Sequence, residues 1–229
     1  MRIGGLQKMT LLDYPGKVAC TVFLSGCNLR CPFCHNAGLV LPDKMEGEIS
    51  RQELLDFLSR RRGKLDGVCI TGGEPTIWQD LPQLMEEIRS MGFLLKLDTN
   101  GSNPQMVQEL LDRDLIQYAA MDIKNCPEDY EKTCGGVDIL QAVTRTRDLL
   151  MNSTIDYEFR TTVCSPLHTV DGIRKLAQWI RGAKRYYLQN FVDSGNLVGE
   201  GIHACSSQEL EAMARAAREF IPHTQLRGI

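Results

Sequence analysis

Two hydrophobic rhythms alternate along the chain. Compact apolar runs at residues 18–25, 67–71, 93–98, 116–123, 157–163 and 186–192 predict six strands. Between them lie segments whose apolar residues recur three and four positions apart, the period of a helix with one buried face. Ser50 opens such a segment with Leu54, Leu55 and Leu58 on its apolar side, and Ser50 and Glu53 have the spacing of a capping box. Leu84, Met85 and Ile88 mark a helix over 81–91. Asn103 followed by Pro104 reads as an N-cap with proline at the first helical position, and that helix runs to about 113. Helices follow over 139–151 and 170–181, and Ser206 with Glu209 caps one that ends near 220. Strands alternating with helices imply parallel pairing through helical crossovers, in a barrel or an open doubly wound sheet.

Polar chemistry gathers at one place in this alternation. A cysteine-rich loop follows the first strand, Gly72-Gly73-Glu74-Pro75 follows the second, and Asp98-Thr99-Asn100-Gly101 ends the third. Asp122 and Lys124 end the fourth, and Arg160 lies in the fifth. Parallel α/β folds carry their sites at the carboxyl edge of the strands, so these groups converge on one rim. Composition narrows the class further. With 26 Lys and Arg against 29 Asp and Glu, the formal net charge is −3 and no basic patch points to nucleic acid. The apolar runs are too short to cross a bilayer, and the opening residues lack the apolar core of a signal peptide. The expectation is a cytoplasmic protein with neither membrane nor nucleic acid as partner.

Nine cysteines, an odd number in a chain without a secretion signal, argue against a disulfide framework. Cys27, Cys31 and Cys34 stand apart, three thiols within eight residues at Cys-x3-Cys-x2-Cys spacing. Three thiolates can wrap one inorganic centre but cannot complete a four-thiolate site. A structural zinc ion would need a fourth closed ligand, for which His35 is the local candidate. A cubane held by three cysteines would leave one iron open to a ligand.

That loop, with Asp13-Tyr14-Pro15-Gly16 before it, His35-Asn36 behind it and Gly-Gly-Glu-Pro after the second strand, resembles the radical S-adenosylmethionine superfamily. It is most similar to the glycyl-radical-enzyme activases that serve anaerobic ribonucleoside-triphosphate reductase, from about residue 3 to 195. The resemblance implies a partial, open TIM-like α/β barrel of about six parallel strands with outer helices. One domain would span 1–229, with its core over about 16–195 and a C-terminal helix over about 206–220. It implies a [4Fe–4S] cluster on Cys27, Cys31 and Cys34, and S-adenosylmethionine held by Phe33, Gly72, Gly73, Glu74, Asp98, Thr99, Asp122, Lys124 and Arg160. Phe33 would pack near the adenine. Gly72, Gly73 and Glu74 would receive the methionyl amine through backbone and carboxylate, and Arg160 would meet the carboxylate. In pyruvate formate-lyase activases the counterparts of Asp98 and Asp122 help bind a monovalent cation, so the resemblance admits one here. The histidine those activases carry on the sixth strand is replaced by the Leu188-Gln189-Asn190-Phe191 run. The implied partners are a glycyl-radical enzyme, anaerobic ribonucleotide reductase first among them, and flavodoxin or ferredoxin as electron donor. Two alternatives stand beside this reading: a radical enzyme acting on a small molecule, and a zinc-binding interaction module.

The remaining polar and thiol residues have plainer readings. Cys20, Cys69 and Cys164 sit in strand patterns, as small buried apolar fillers. Cys126 and Cys134 are two ligands too few for a second cluster. His168, His203 and His223 read as surface residues, and Trp78 as packing. Arg60-Arg61-Arg62 reads as cations at a helix end, with flavodoxin docking as the alternative.

Overall fold

The computed structural model describes residues 1–41, 48–193, 195 and 197–228. In chain order its elements are β1 (Ile3–Thr10), β2 (Ala19–Leu24), α1 (Ala37–Val40), α2 (Arg51–Ser59), β3 (Gly67–Gly72), α3 (Leu81–Ser90), β4 (Leu94–Thr99) and α4 (Pro104–Asp112). There follow β5 (Tyr118–Asp122), α5 (Tyr130–Thr133), α6 (Leu140–Asn152), β6 (Asp156–Val163), α7 (Val170–Trp179), β7 (Tyr186–Asn190), α8 (Ser207–Arg218) and β8 (Thr224–Arg227). The strands form one eight-stranded sheet whose neighbour order equals chain order, with β1 and β8 as its two edges. β1 pairs antiparallel to β2, and every later pair is parallel. This is the open α/β barrel with outer helices that the resemblance implies, with two strands more than the six predicted.

Both added strands lack the signal that reveals the others. β1 begins Ile3-Gly4-Gly5, and its residues Gln7, Lys8 and Met9 are exposed. β8 has four residues, of which Thr224 is buried. The central strands are covered on both faces and read as continuous apolar runs. Val68, Cys69 and Ile70 of β3 are wholly buried, as are Cys20 and Cys164. Outside the sheet, Leu81, Leu84, Met85 and Ile88 of α3 are wholly buried. Each such side chain contributes about 1.5–3 kcal/mol. Both capping boxes form, at Ser50 with Glu53 and at Ser206 with Glu209, and the Asn103 side chain accepts from the Met106 amide.

Side chains two apart share a face of a strand. On β4 this puts Lys96 and Asp98 together, and on β6 Glu158 and Arg160. Asp98 and Arg160 belong to strands separated by β5, yet they meet at 3.1 Å, so these polar faces look into the barrel. Lower in the lumen, Glu158 accepts from Tyr118 Oη at 2.8 Å and from Arg227 Nη1 at 3.0 Å. The Arg227 guanidinium stacks 3.4 Å above the Tyr187 ring, so β8 contributes one side chain to this group.

Candidate functional site

The cysteine loop leaves β2 at Ser25 and is fixed from within and from both flanks. Arg30 Nη1 donates to the Cys27 carbonyl at 2.8 Å, and the Leu29 amide donates to Cys27 Sγ at 3.4 Å. On the Cys27 side, Asn28 donates to Ser102 Oγ at 2.9 Å and accepts from Asn100 Nδ2 at 3.1 Å. On the other side, the amides of Val198 and Gly199 donate to the carbonyls of Cys34 and Pro32 at 3.2 and 2.9 Å. This second flank comes from beyond residue 195, where the sequence resemblance stops.

All three thiols are free and line one cavity of about 340 Å³, together with Gly72, Gly73, Asp98, Thr99, Asp122, Lys124 and Arg160. The two glycines are there because the ends of β2 and β3 nearly touch. A Cβ on Gly72, whose φ is 127°, would sit 2.2 Å from the Leu24 carbonyl oxygen. One on Gly73 would sit 1.9 Å from the Gly26 oxygen and 3.3 Å from Cys27 Cβ. The missing side chains keep the β3 end pressed against the root of the cysteine loop.

Phe33 lines the cavity and is wedged between two groups. Lys124 Nζ lies 5.8 Å from its ring centre, and the His168 ring meets it edge-on at 6.2 Å. His168 is buried, not on the surface as its sequence surroundings suggested. Its Nε2 donates to the Lys124 carbonyl at 2.8 Å while Nδ1 accepts from the Cys164 amide at 3.1 Å. The ring thereby satisfies two buried backbone groups and holds the Lys124 segment beneath Phe33. Burial lowers its pKa, favouring the neutral ring this pattern requires.

Glu74 does not face the cavity. Its carboxylate is fully buried, and Oε1 accepts from Thr76 N, Thr76 Oγ1 and Thr99 Oγ1 at 3.1, 2.6 and 2.7 Å. Oε2 accepts from the Asn100 amide at 2.6 Å. Burial pushes its pKa up against the pull of these bonds. An amide proton on each oxygen nonetheless requires both to accept, and the ionised form does that best. The expectation that this carboxylate receives the cofactor amine is therefore corrected: four protein donors occupy it. Its role is to tie the end of β3 to the end of β4, while the Gly72 and Gly73 backbone lines the cavity.

The cavity floor is an ionic chain. Lys96, missed in the sequence, is 2% exposed, and its Nζ hydrogen-bonds Asp98 Oδ1. Arg160 Nη1 reaches Asp98 Oδ2 at 3.1 Å and Arg160 Nε reaches Asp122 Oδ1 at 3.0 Å. Lys124 Nζ completes it on Asp122 Oδ2 at 3.0 Å. Burial opposes every charge here, but the partners outweigh it: both aspartates are held below the usual carboxylate range, and Lys96, Lys124 and Arg160 are raised. Gln189 lines the cavity, and Asn190 is committed to the backbone of Cys205. Trp78 donates to the Ser25 carbonyl at 3.0 Å, a packing role as read from the sequence. Arg61 lies 5.3 Å over Phe57, and Arg62 caps the Met91 carbonyl at 3.1 Å.

The donor set suits a thiolate-held cluster. Burial pushes Cys27 up to about 11. Cys31 is lowered, chiefly by the neighbouring Cys134 thiol, with Lys124 assisting against burial. A tetrahedral zinc ion, with Zn–S near 2.3 Å, would gather its sulfurs about 3.8 Å apart. Among the described residues no three His, Cys, Asp or Glu side chains converge on a point in that way. Three cysteine side chains lining one cavity are the donor type that an iron–sulfur cluster takes.

Comparison with known proteins follows the same lines. The radical SAM superfamily model matches residues 21–186. A Methanocaldococcus jannaschii protein provisionally named a glycyl-radical enzyme activating enzyme is 28% identical over 237 residues, covering 99% of this chain and 96% of that one. The pyruvate formate-lyase-activating enzyme of Clostridium pasteurianum is 30% identical over 200 residues, covering 80% and 77%. Streptococcus suis SuiB bound to the precursor peptide SuiA superposes with a TM-score of 0.72 at 14% identity, over 91% of this chain and 48% of that one. This chain thus spans about half the length of that structure. A domain of pyruvate-formate lyase-activating enzyme from Bacteroides vulgatus superposes with a TM-score of 0.55 at 15% identity, over 71% and 99%. At such identities the structural likeness establishes the fold alone. The family match and the curated relatives carry the assignment further: the chain belongs to the radical SAM superfamily, among its glycyl-radical-enzyme activating enzymes.

Proposed function

We propose that this chain binds a [4Fe–4S] cluster through Cys27, Cys31 and Cys34, cleaves S-adenosylmethionine reductively, and installs a glycyl radical on a partner enzyme. The observation that carries the reading is the shared cavity, with three thiols on one wall, glycine backbone beside them and a cationic chain as floor. When bound, the cluster supplies the electron that splits the sulfonium into methionine and a 5′-deoxyadenosyl radical able to take a glycine α-hydrogen. The chain's own residues bind and orient. Gly72 and Gly73 offer backbone to the methionyl amine beside Cys27. Arg160 and Lys124 present positive charge to the carboxylate. Phe33, held by Lys124 and His168, offers its ring to the adenine. The ion pairs below them fill the lumen and keep water out of the reaction space.

Anaerobic ribonucleoside-triphosphate reductase is the partner we favour, with flavodoxin or ferredoxin as electron donor. The test mixes the anaerobically reconstituted, reduced protein with that reductase and S-adenosylmethionine. A glycyl doublet in the electron paramagnetic resonance spectrum, together with one deoxyadenosine per radical, is expected. In Cys31→Ala both signals and the cluster absorption should vanish. Deoxyadenosine release at the wild-type rate from Cys31→Ala overturns the ligand assignment. Release from the intact protein with no radical on any glycyl-radical enzyme moves the reading to a small-molecule substrate.

A further inference from the structure

The sequence resemblance admits a monovalent cation at the two aspartates on the cavity floor, and the residues present here do not fit one. Each of the four carboxylate oxygens already meets a cationic side chain. Asp98 Oδ1 takes Lys96, Asp98 Oδ2 and Asp122 Oδ1 take Arg160, and Asp122 Oδ2 takes Lys124. Thr71 Oγ1 adds a fifth contact, donating to Asp98 Oδ2 at 3.3 Å. Two carboxylates against three cations leave the floor with one surplus positive charge. A further cation would raise it to two in a site largely shut from water. The surplus instead suits an anionic group arriving from the cavity.

Lys96 makes the difference. It stands two residues before Asp98 on β4, so both side chains share the inner face and the ammonium reaches the carboxylate along one strand. It is 2% exposed, with Cys69 Sγ at 3.7 Å and the Tyr118 ring centre at 5.9 Å as its other neighbours. An ammonium so buried cannot leave its carboxylate without a large desolvation cost.

We propose that Lys96 is the cation of this site, a tethered ammonium occupying Asp98 in place of a metal ion, so that the methionyl carboxylate binds without added Na⁺ or K⁺. The inference rests on the reading that the cavity takes S-adenosylmethionine. Its test therefore has two readouts, made on the reconstituted holoprotein and on Lys96→Met, which keeps most of the side-chain length and removes the charge. The first is calorimetric titration with S-adenosylmethionine in tetramethylammonium chloride and in matched sodium or potassium chloride. The second is the sodium NMR line width with and without protein.

For the wild type, an affinity that changes less than about twofold between salts, and no saturable sodium broadening, is expected. Lys96→Met should bind about tenfold more weakly in tetramethylammonium, because Asp98 is then left short of one compensating charge beneath the incoming carboxylate. It should regain affinity with sodium and show saturable broadening. A wild-type affinity that rises about tenfold with a saturating alkali cation, or a Lys96→Met protein that keeps full affinity without one, overturns the proposal. If Lys96→Met fails to fold, the two wild-type readouts decide alone. If the wild type binds no S-adenosylmethionine in any salt, the functional reading falls, and sodium broadening still reports whether the aspartates take a cation.

Discussion

Glu74 is the residue where the structure separates a cofactor contact from a brace, and Glu74→Gln tests the distinction. The carboxylate accepts from two backbone amides and two hydroxyls, with one amide on each oxygen. The glutamine amide keeps one acceptor oxygen and turns a donor towards the other amide. In either orientation one buried N–H faces another N–H, while the hydroxyls can turn to compensate. One such mismatch costs about 1–3 kcal/mol, equivalent to roughly 2–12 °C in Tm for a chain of this size. Glu74→Ala strands all four donors and belongs at about 3–5 kcal/mol, the upper tail of single substitutions. Calorimetric unfolding of the anaerobically reconstituted protein measures these losses, and titration with S-adenosylmethionine measures the cofactor. Because the carboxylate points away from the cavity, affinity in Glu74→Gln should change less than about threefold, under 1 kcal/mol. A Glu74→Gln protein that melts with the wild type but binds the cofactor more than about tenfold more weakly would refute the brace.

Arg160 joins both aspartates, but Asp98 keeps Lys96 and Asp122 keeps Lys124, so Arg160→Ala should cost about 1.5–3 kcal/mol of stability through the charge-assisted bonds it removes. It should also weaken S-adenosylmethionine binding by about 1–3 kcal/mol; unchanged binding by titration removes it from the site. His168 predicts a pH dependence. Its folded pKa lies below the unfolded value near 6.5, so its stabilising contribution is complete above that pH and declines as pH falls through it. Chemical unfolding between pH 7 and 5 should lose up to about 1.4 kcal/mol per pH unit from this group. His168→Gln should flatten that slope, and an unaltered slope counts against the buried neutral ring.

The parts of the molecule legible in the sequence are those whose signal is local. Continuous apolar runs identified the buried strands, and Ser50, Asn103 and Ser206 identified helix starts, because a cap is a contact between residues two or three apart. The edge strands β1 and β8 escaped because half-exposed backbone needs no apolar pattern. At the site, the cysteine spacing and the strand-end polar residues brought most of the cavity lining together in advance. Lys96 was hidden by its type, since a lysine in an apolar strand reads as a solvent-facing exception until Asp98 is seen two residues on. His168 and the segment 198–199 were hidden because their partners, the carbonyls of Lys124, Cys34 and Pro32, are backbone groups that leave no mark on side-chain identity.

The staples on either side of the cysteine loop bear on how the protein survives air. Asn28 to Ser102 and Asn100, and Val198 and Gly199 to Cys34 and Pro32, are bonds made entirely by protein atoms. The entropy of ordering that loop is thus spent when the chain folds and is not charged to metal capture. Oxidative damage that strips the irons need not unravel the polypeptide, and repair becomes a matter of refilling rather than refolding.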